Sequence, residues 1–236
     1  MKAIYKRELR AFFLTGIGYV FMGVFLALAG VIFYVNNLTT RSSDLGGFFT
    51  MVSYIWVLLA PILVMRLLAG ERKKGTDQLL LTAPVSIGHI VAAKYLAALT
   101  ILMLTLLIST IYPIIISIYG YIYLPEILSG YIGLLLYGSA FLALDMLVSS
   151  FARSPASAFV LAFGANLLVR MSGLLAKAVN VPAFSYVASL FDLDARYLPF
   201  VYGQLSLANA VYYTLFTLTV LVVSVQMLRI GRWNQA

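Results

Sequence analysis

The chain has 236 residues, 63% of them hydrophobic and only 10% charged, with a mean hydropathy of +1.00, whereas soluble domains carry about 25% charged residues and no soluble core of this size could hide so much apolar surface. The formal charge of +8 does not point to nucleic acid, because most Lys and Arg residues gather at the two chain ends and in one loop, the pattern of cytoplasmic flanks of membrane spans. The absence of cysteine excludes a disulfide framework and a thiolate metal site.

Residues 2–13, KAIYKRELRAFF, place Tyr5, Leu9, Phe12 and Phe13 on one helical arc and Lys6, Arg7 and Arg10 on another. The pattern fits an interfacial amphipathic helix with its basic side at lipid headgroups, and equally the basic flank of a first span. Apolar stretches of about 20 residues, enough to cross about 30 Å of hydrocarbon, then predict six spans at 12–35, 49–69, 94–118, 128–151, 155–178 and 206–228. The first exceeds a signal-peptide core of about 7–15 residues and is read as a retained span. The expected fold is an all-α integral membrane protein, with 1–236 as a single transmembrane domain. An even number of spans puts both termini on one side. Lys2, Lys6, Arg7, Arg10, Arg72, Lys73, Lys74, Lys94, Arg153, Arg229 and Arg232 fall there, against Arg41, Lys177 and Arg196 opposite, so both termini are expected in the cytoplasm.

After the first span, 36–47 reads as a short polar loop whose Asn37-Leu38-Thr39 sequon is taken as a chance match. Pro61 and Pro113 are able to kink their spans, and Arg66 to snorkel from the end of the second. The loop after that span, Gly70-Glu71-Arg72-Lys73-Lys74-Gly75-Thr76-Asp77-Gln78-Leu79-Leu80-Leu81-Thr82-Ala83-Pro84-Val85-Ser86, has a clear local logic. Gly75 ends one helix in the left-handed conformation, Thr76 caps the next, Asp77 sits in its favourable first turn, and Leu79, Leu80 and Leu81 form an apolar side before Pro84 stops it. Ser86 caps the following helix, with Lys94 at the headgroups. The leucines need a cover, whether the protein's own helices, a soluble partner or the membrane surface. Gly70 to Gly75 has phosphate-loop spacing, but Thr76 and Asp77 stand where Lys and Ser or Thr are required, so this loop is not a phosphate loop. His89, the only histidine, has no ligand pattern around it.

Residues 119–127 form a tight aromatic turn in which Pro125 opens the next helix. Asp145 and Arg170 lie inside spans, where ionisable groups face the bundle interior or a watery cavity. Counted from Arg153 at 1.5 Å per residue they lie about 12 Å and 25 Å deep, so they are not partners. Asp145 is expected to pair structurally with Lys94, Arg153 or backbone donors. Arg170, with Asn166 one turn before it, either lines a pathway for an anionic or polar headgroup, or snorkels to the outer interface or bonds to the external helices. In 179–205, the apolar run VPAFSYVASLF is too short to span; Asp192, Asp194, Arg196 and YLPFVYG follow it. This reads as re-entrant or interfacial helices started or broken by Pro182 and Pro199, or else as a plain aromatic-rich loop.

The run Glu71, Gly75, Thr76, Leu80, Leu81, Thr82, Pro84, Val85, Ser86 and Lys94 resembles the ABC-2 permease family, most closely the branch of gliding-motility and nitrous-oxide-maturation permeases. Gly70 and Gln78 stand where that family often has acids, so no acidic contact carries over to them. The resemblance implies that 70–93 is a coupling element, with Glu71, Gly75, Thr76, Leu79, Leu80, Leu81 and Pro84 at an ABC ATPase. It further implies that 2–13 is a connecting helix, that short external helices lie between spans five and six, and that two permease copies or paralogues surround one pathway in a bacterial inner membrane. Lipid and an extracytoplasmic accessory protein are further partners it allows, with no cofactor bound directly and ATP used by the partner. The competing readings are a secondary transporter or channel, which needs more intramembrane carboxylates than Asp145, and an intramembrane enzyme, for which one histidine and no cysteine leave little.

Overall fold

The computed structural model of the chain describes residues 1–70, 86–179, 186 and 188–233, and among these every regular element is helical. Helix α1 (Lys2–Leu14) realises the amphipathic segment. It ends where Thr15 Oγ1 donates to the Ala11 carbonyl at 2.6 Å and Gly16 takes φ +74, a left-handed turn that glycine adopts without a Cβ clash. The first span therefore starts at Ile17 rather than residue 12. It comprises α2 (Ile17–Phe33) and a π-turn at Tyr34–Leu38. Phe12, expected inside that span, is instead buried on α1.

Helix α3 (Gly46–Val64) carries Pro61 within it. Helices α4 (Ile87–Ser109) and α5 (Ile111–Tyr119) form one interrupted span. The break falls at Ser109–Thr110 because the Pro113 ring clashes with the carbonyl four residues earlier. The bend lays Tyr112 against α2, where its hydroxyl donates to the Leu26 carbonyl at 2.6 Å. Ser86 caps α4 as expected, accepting from the His89 amide, and its hydroxyl lies 2.8 Å from His89 Nδ1; the single histidine is part of a helix cap. Helix α6 (Leu124–Ser149) opens on Pro125 as the turn chemistry predicts.

Helix α7 (Pro155–Arg170) starts with a reciprocal cap between Ser154 and Ser157, a pairing that satisfies two otherwise orphaned amides. It has 16 residues, about 24 Å at 1.5 Å per residue, and α8 (Ser172–Val179) resumes after Met171. The predicted fifth span, 155–178, is thus broken at Arg170. Among the described residues, five helical segments are long and apolar enough to cross a membrane: Ile17–Leu38, Gly46–Val64, Ile87–Ile118, Leu124–Ser149 and Leu207–Arg229. Helix α9 (Leu193–Val201) follows α8, capped by Asp192, which accepts from the Ala195 amide at 3.0 Å. Pro199 lies within α9 and neither starts nor breaks it; Pro182 lies outside the described residues. Helix α10 (Leu207–Trp233) closes the chain.

The centre of the bundle is α6, packed against α3, α4, α7, α9 and α10. Small residues allow this. A Cβ at Gly133 would stand 2.4 Å from Phe200 Cβ, so only glycine admits α9 at that distance, and close backbone approach is what associates helices where lipid is as apolar as leucine. Trp56, fully buried, meets Phe21 and Phe25 edge-on at 5.6 and 6.0 Å, an arrangement the ring quadrupoles favour.

Candidate functional site

Among the described residues, three polar clusters bear on the positions singled out from the sequence. The first lies at the end that carries α1. Lys94 is 0% exposed, not at a headgroup surface: Nζ donates to Glu8 Oε1 at 3.2 Å and to the Leu67 carbonyl at 2.5 Å. Glu8 also takes Arg7 Nη2 at 2.7 Å. A buried ammonium is tolerated only when paired and hydrogen-bonded, and here the pairing joins α1, the chain leaving α3 and the start of α4. Arg66 adds a second tie by donating to Thr15 Oγ1 and, at 3.5 Å, to the Ala11 carbonyl, where α1 ends and a cation is favoured. Tyr5 Oη and Thr100 Oγ1 form a third at 2.9 Å. Glu8 was legible in the sequence only as the lone acid in a basic segment. The residues resembling a coupling element, Glu71, Gly75, Thr76, Leu79, Leu80, Leu81 and Pro84, lie in 71–85, outside the described residues; the cluster just described is the base from which that loop leaves and to which it returns.

The second cluster surrounds Arg170. Nη1 donates to Tyr137 Oη at 2.7 Å and Nη2 to Ser53 Oγ at 3.5 Å, while Nε lies 3.4 Å from Asp194 Oδ2 and Cζ sits 3.4 Å from the centroid of the Tyr54 ring. Tyr137 in turn donates to Asp194 Oδ1 at 2.7 Å. One planar guanidinium thus gathers α3, α6, α7 and α9, using its fork and its face as only arginine does. Burial raises the Asp194 carboxyl above its ordinary value, against the opposing pull of Arg170 and the Tyr137 hydroxyl.

The third cluster lies one turn away. Pro61 has no N–H, which leaves the Val57 carbonyl without its helical donor. Asn166, 0% exposed, supplies one: Nδ2 donates to Val57 O at 3.2 Å. Asp145, also 0% exposed, faces Asn166, but no well-formed hydrogen bond reaches either carboxyl oxygen among the described residues. The expected pairing of Asp145 with Lys94, Arg153 or backbone donors is not found among the described residues; the Lys94 ammonium is held on the α1 side by contacts that include Glu8 and the Leu67 carbonyl. The Asn166–Val57 bond was findable in the sequence as a proline in one span and a buried amide in another, but nothing in the spacing brings 57 beside 166.

The family described as ABC-2 family transporter protein matches residues 3–190, a stretch that takes in Glu8, Lys94, Asp145, Asn166 and Arg170. The chain belongs to the ABC-2 transporter family. Comparison with curated proteins gives no match. As an ABC-2 permease it is a multi-pass membrane protein, and members of the family are membrane subunits that are not catalytic by themselves. In these terms the α1 base is the part of the permease adjoining the 71–85 loop, and the Arg170 cluster ties α7 to a short helix, α9, that lies beyond the matched stretch.

Proposed function

We propose that this ABC-2 permease forms one half of a dimeric export pathway and takes its energy from a separate ABC ATPase dimer that docks on residues 70–93. Its branch is that of the gliding-motility and nitrous-oxide-maturation permeases, its membrane a bacterial inner membrane with both termini cytoplasmic, and its cargo a lipid-like, glycan, peptide or drug molecule. The observation that carries this reading is the base of the loop. Lys94 reaches both Leu67, before the loop, and Glu8 on α1, so a displacement of the loop by the ATPase would be delivered to α1, α3 and α4 together rather than absorbed by slack chain. Closure of the ATPase on ATP then shifts the permease between inward-facing and outward-facing states. At the far end, Arg170 and Asn166 sit where α7 is interrupted, and a change in α7 there alters the wall that α6 and α9 share.

The test is Gly75→Val and, separately, Leu80→Asp. A Cβ branch at a left-handed position costs about 1 kcal/mol or more, and an aspartate pressed into an apolar groove costs several. Insertion and dimerisation are expected to remain normal while co-purification of the ATPase and transport in vesicles both fall. Wild-type values for both in both variants would remove the coupling assignment.

A further inference from the structure

At the end of α2 remote from α1, three irregular features meet. The helix closes on the π-turn Tyr34–Leu38, a geometry concentrated at functional positions. Arg41 then adopts φ +52, a left-handed conformation that an ordinary side chain enters only at a cost and that survives where the surroundings or a function demand it. Asn37, 2% exposed, braces the loop by donating from Nδ2 to the carbonyls of Ser42 at 3.1 Å and Asp44 at 2.8 Å; its burial leaves the sequon without a role as a glycan acceptor. Beside this brace is a cavity of about 400 Å³ lined by Asn37, Leu38, Arg41, Ser42, Ser43 and Ile116 among others.

Among the described residues the lining has one cation, Arg41, beside the polar Asn37, Ser42 and Ser43 and the apolar Leu38 and Ile116. Arg41 is exposed and makes no ion pair among the described residues. On the α2 side, Val31 and Val35 lie seven and three residues before the lining residue Leu38, on the same helical arc, and all three are exposed and apolar. We propose that this cavity binds the anionic headgroup of a membrane lipid, with Arg41 on the phosphate, the Ser43 hydroxyl as a second donor, and the acyl chains along the exposed apolar arc of α2. A free anion would gain nothing from that apolar wall; a lipid uses both halves of the site.

The chain has no cysteine of its own, so Leu38→Cys places a single thiol on the cavity wall. Its rate of alkylation by a polar maleimide is measured in nanodiscs of phosphatidylcholine, with phosphatidylglycerol titrated in. Phosphatidylglycerol is expected to slow labelling, and Arg41→Gln or Arg41→Gly in the same background to raise the half-protecting fraction about tenfold, as expected for the loss of a charged hydrogen bond. Arg41→Gly also relieves the positive φ and so keeps or raises the thermal midpoint, which separates loss of binding from loss of fold. Lys6→Gln with Arg10→Gln, at the other end of the bundle, leaves protection unchanged. Equal labelling in the two lipids, protection that survives Arg41→Gly, or equal protection by inorganic phosphate in pure phosphatidylcholine would each overturn the lipid site.

Discussion

At the scale of single residues, the polar groups of this permease act by repairing what the apolar bundle would otherwise leave unpaired. Lys94 and Glu8 illustrate the energetics. Removing one partner of a buried pair strands the other, at about 3–5 kcal/mol, while replacing both with apolar groups is often neutral. Lys94→Met alone is therefore expected to lower the thermal stability of the purified protein substantially, and Glu8→Leu with Lys94→Met to recover most of it. On the coupling proposed above, ATP hydrolysis by the partner should stay uncoupled from transport in the double variant, because the tie between α1 and the loop base is still missing. Asn166 offers a cleaner cycle. Asn166→Leu leaves the Val57 carbonyl buried and unpaired, a cost of about 1–3 kcal/mol. Pro61→Ala restores an amide at the position that should bond Val57. Adding Pro61→Ala to Asn166→Leu should thus return stability, in a double-mutant cycle read by thermal denaturation, whereas additivity of the two changes would separate the residues.

At the scale of elements, the interruptions matter more than the helices. Gly16 turns α1 out of the line of α2, Pro113 bends α4 into α5, and α7 stops at Arg170. Two of these are written in residue types whose backbone preferences are known in advance. The third is not: no proline or glycine stands at 170 or 171, and the position of the break coincides with the network that Arg170 makes to Tyr137, Ser53, Tyr54 and Asp194. Arg170→Lys keeps the charge but loses the fork and the ring stacking. It is expected to loosen α9 from the bundle, read as faster amide exchange over 193–201, with exchange in α4 unchanged. Unaltered exchange across α9 would show that its apolar face, Leu193, Tyr197, Phe200 and Val201, docks it unaided.

At the scale of the whole molecule, the sidedness expected from the distribution of charge is testable because the chain has no cysteine. Single cysteines at Ser42 and, near the buried Tyr197, at the exposed Ala195 are expected to react with an impermeant thiol reagent from outside intact cells, and one at Lys73 to stay unlabelled; labelling of Lys73 would invert the arrangement. The membrane class, the amphipathic first helix, the cap at Ser86, the start of α6 at Pro125 and the family resemblance in 70–94 were all readable from the amino-acid sequence by itself. Each depends on hydropathy summed over one stretch, or on a cap, proline or glycine acting within a few residues of itself. What only the tertiary structure decided is which polar groups meet: Glu8 with Lys94 across 86 positions, Arg170 with Asp194, and Asn166 with Val57 across 109. In a bilayer an unpaired polar group has no water to turn to, so each finds its partner through the packing of helices distant in sequence, and helix packing is set by shape complementarity that no local pattern records.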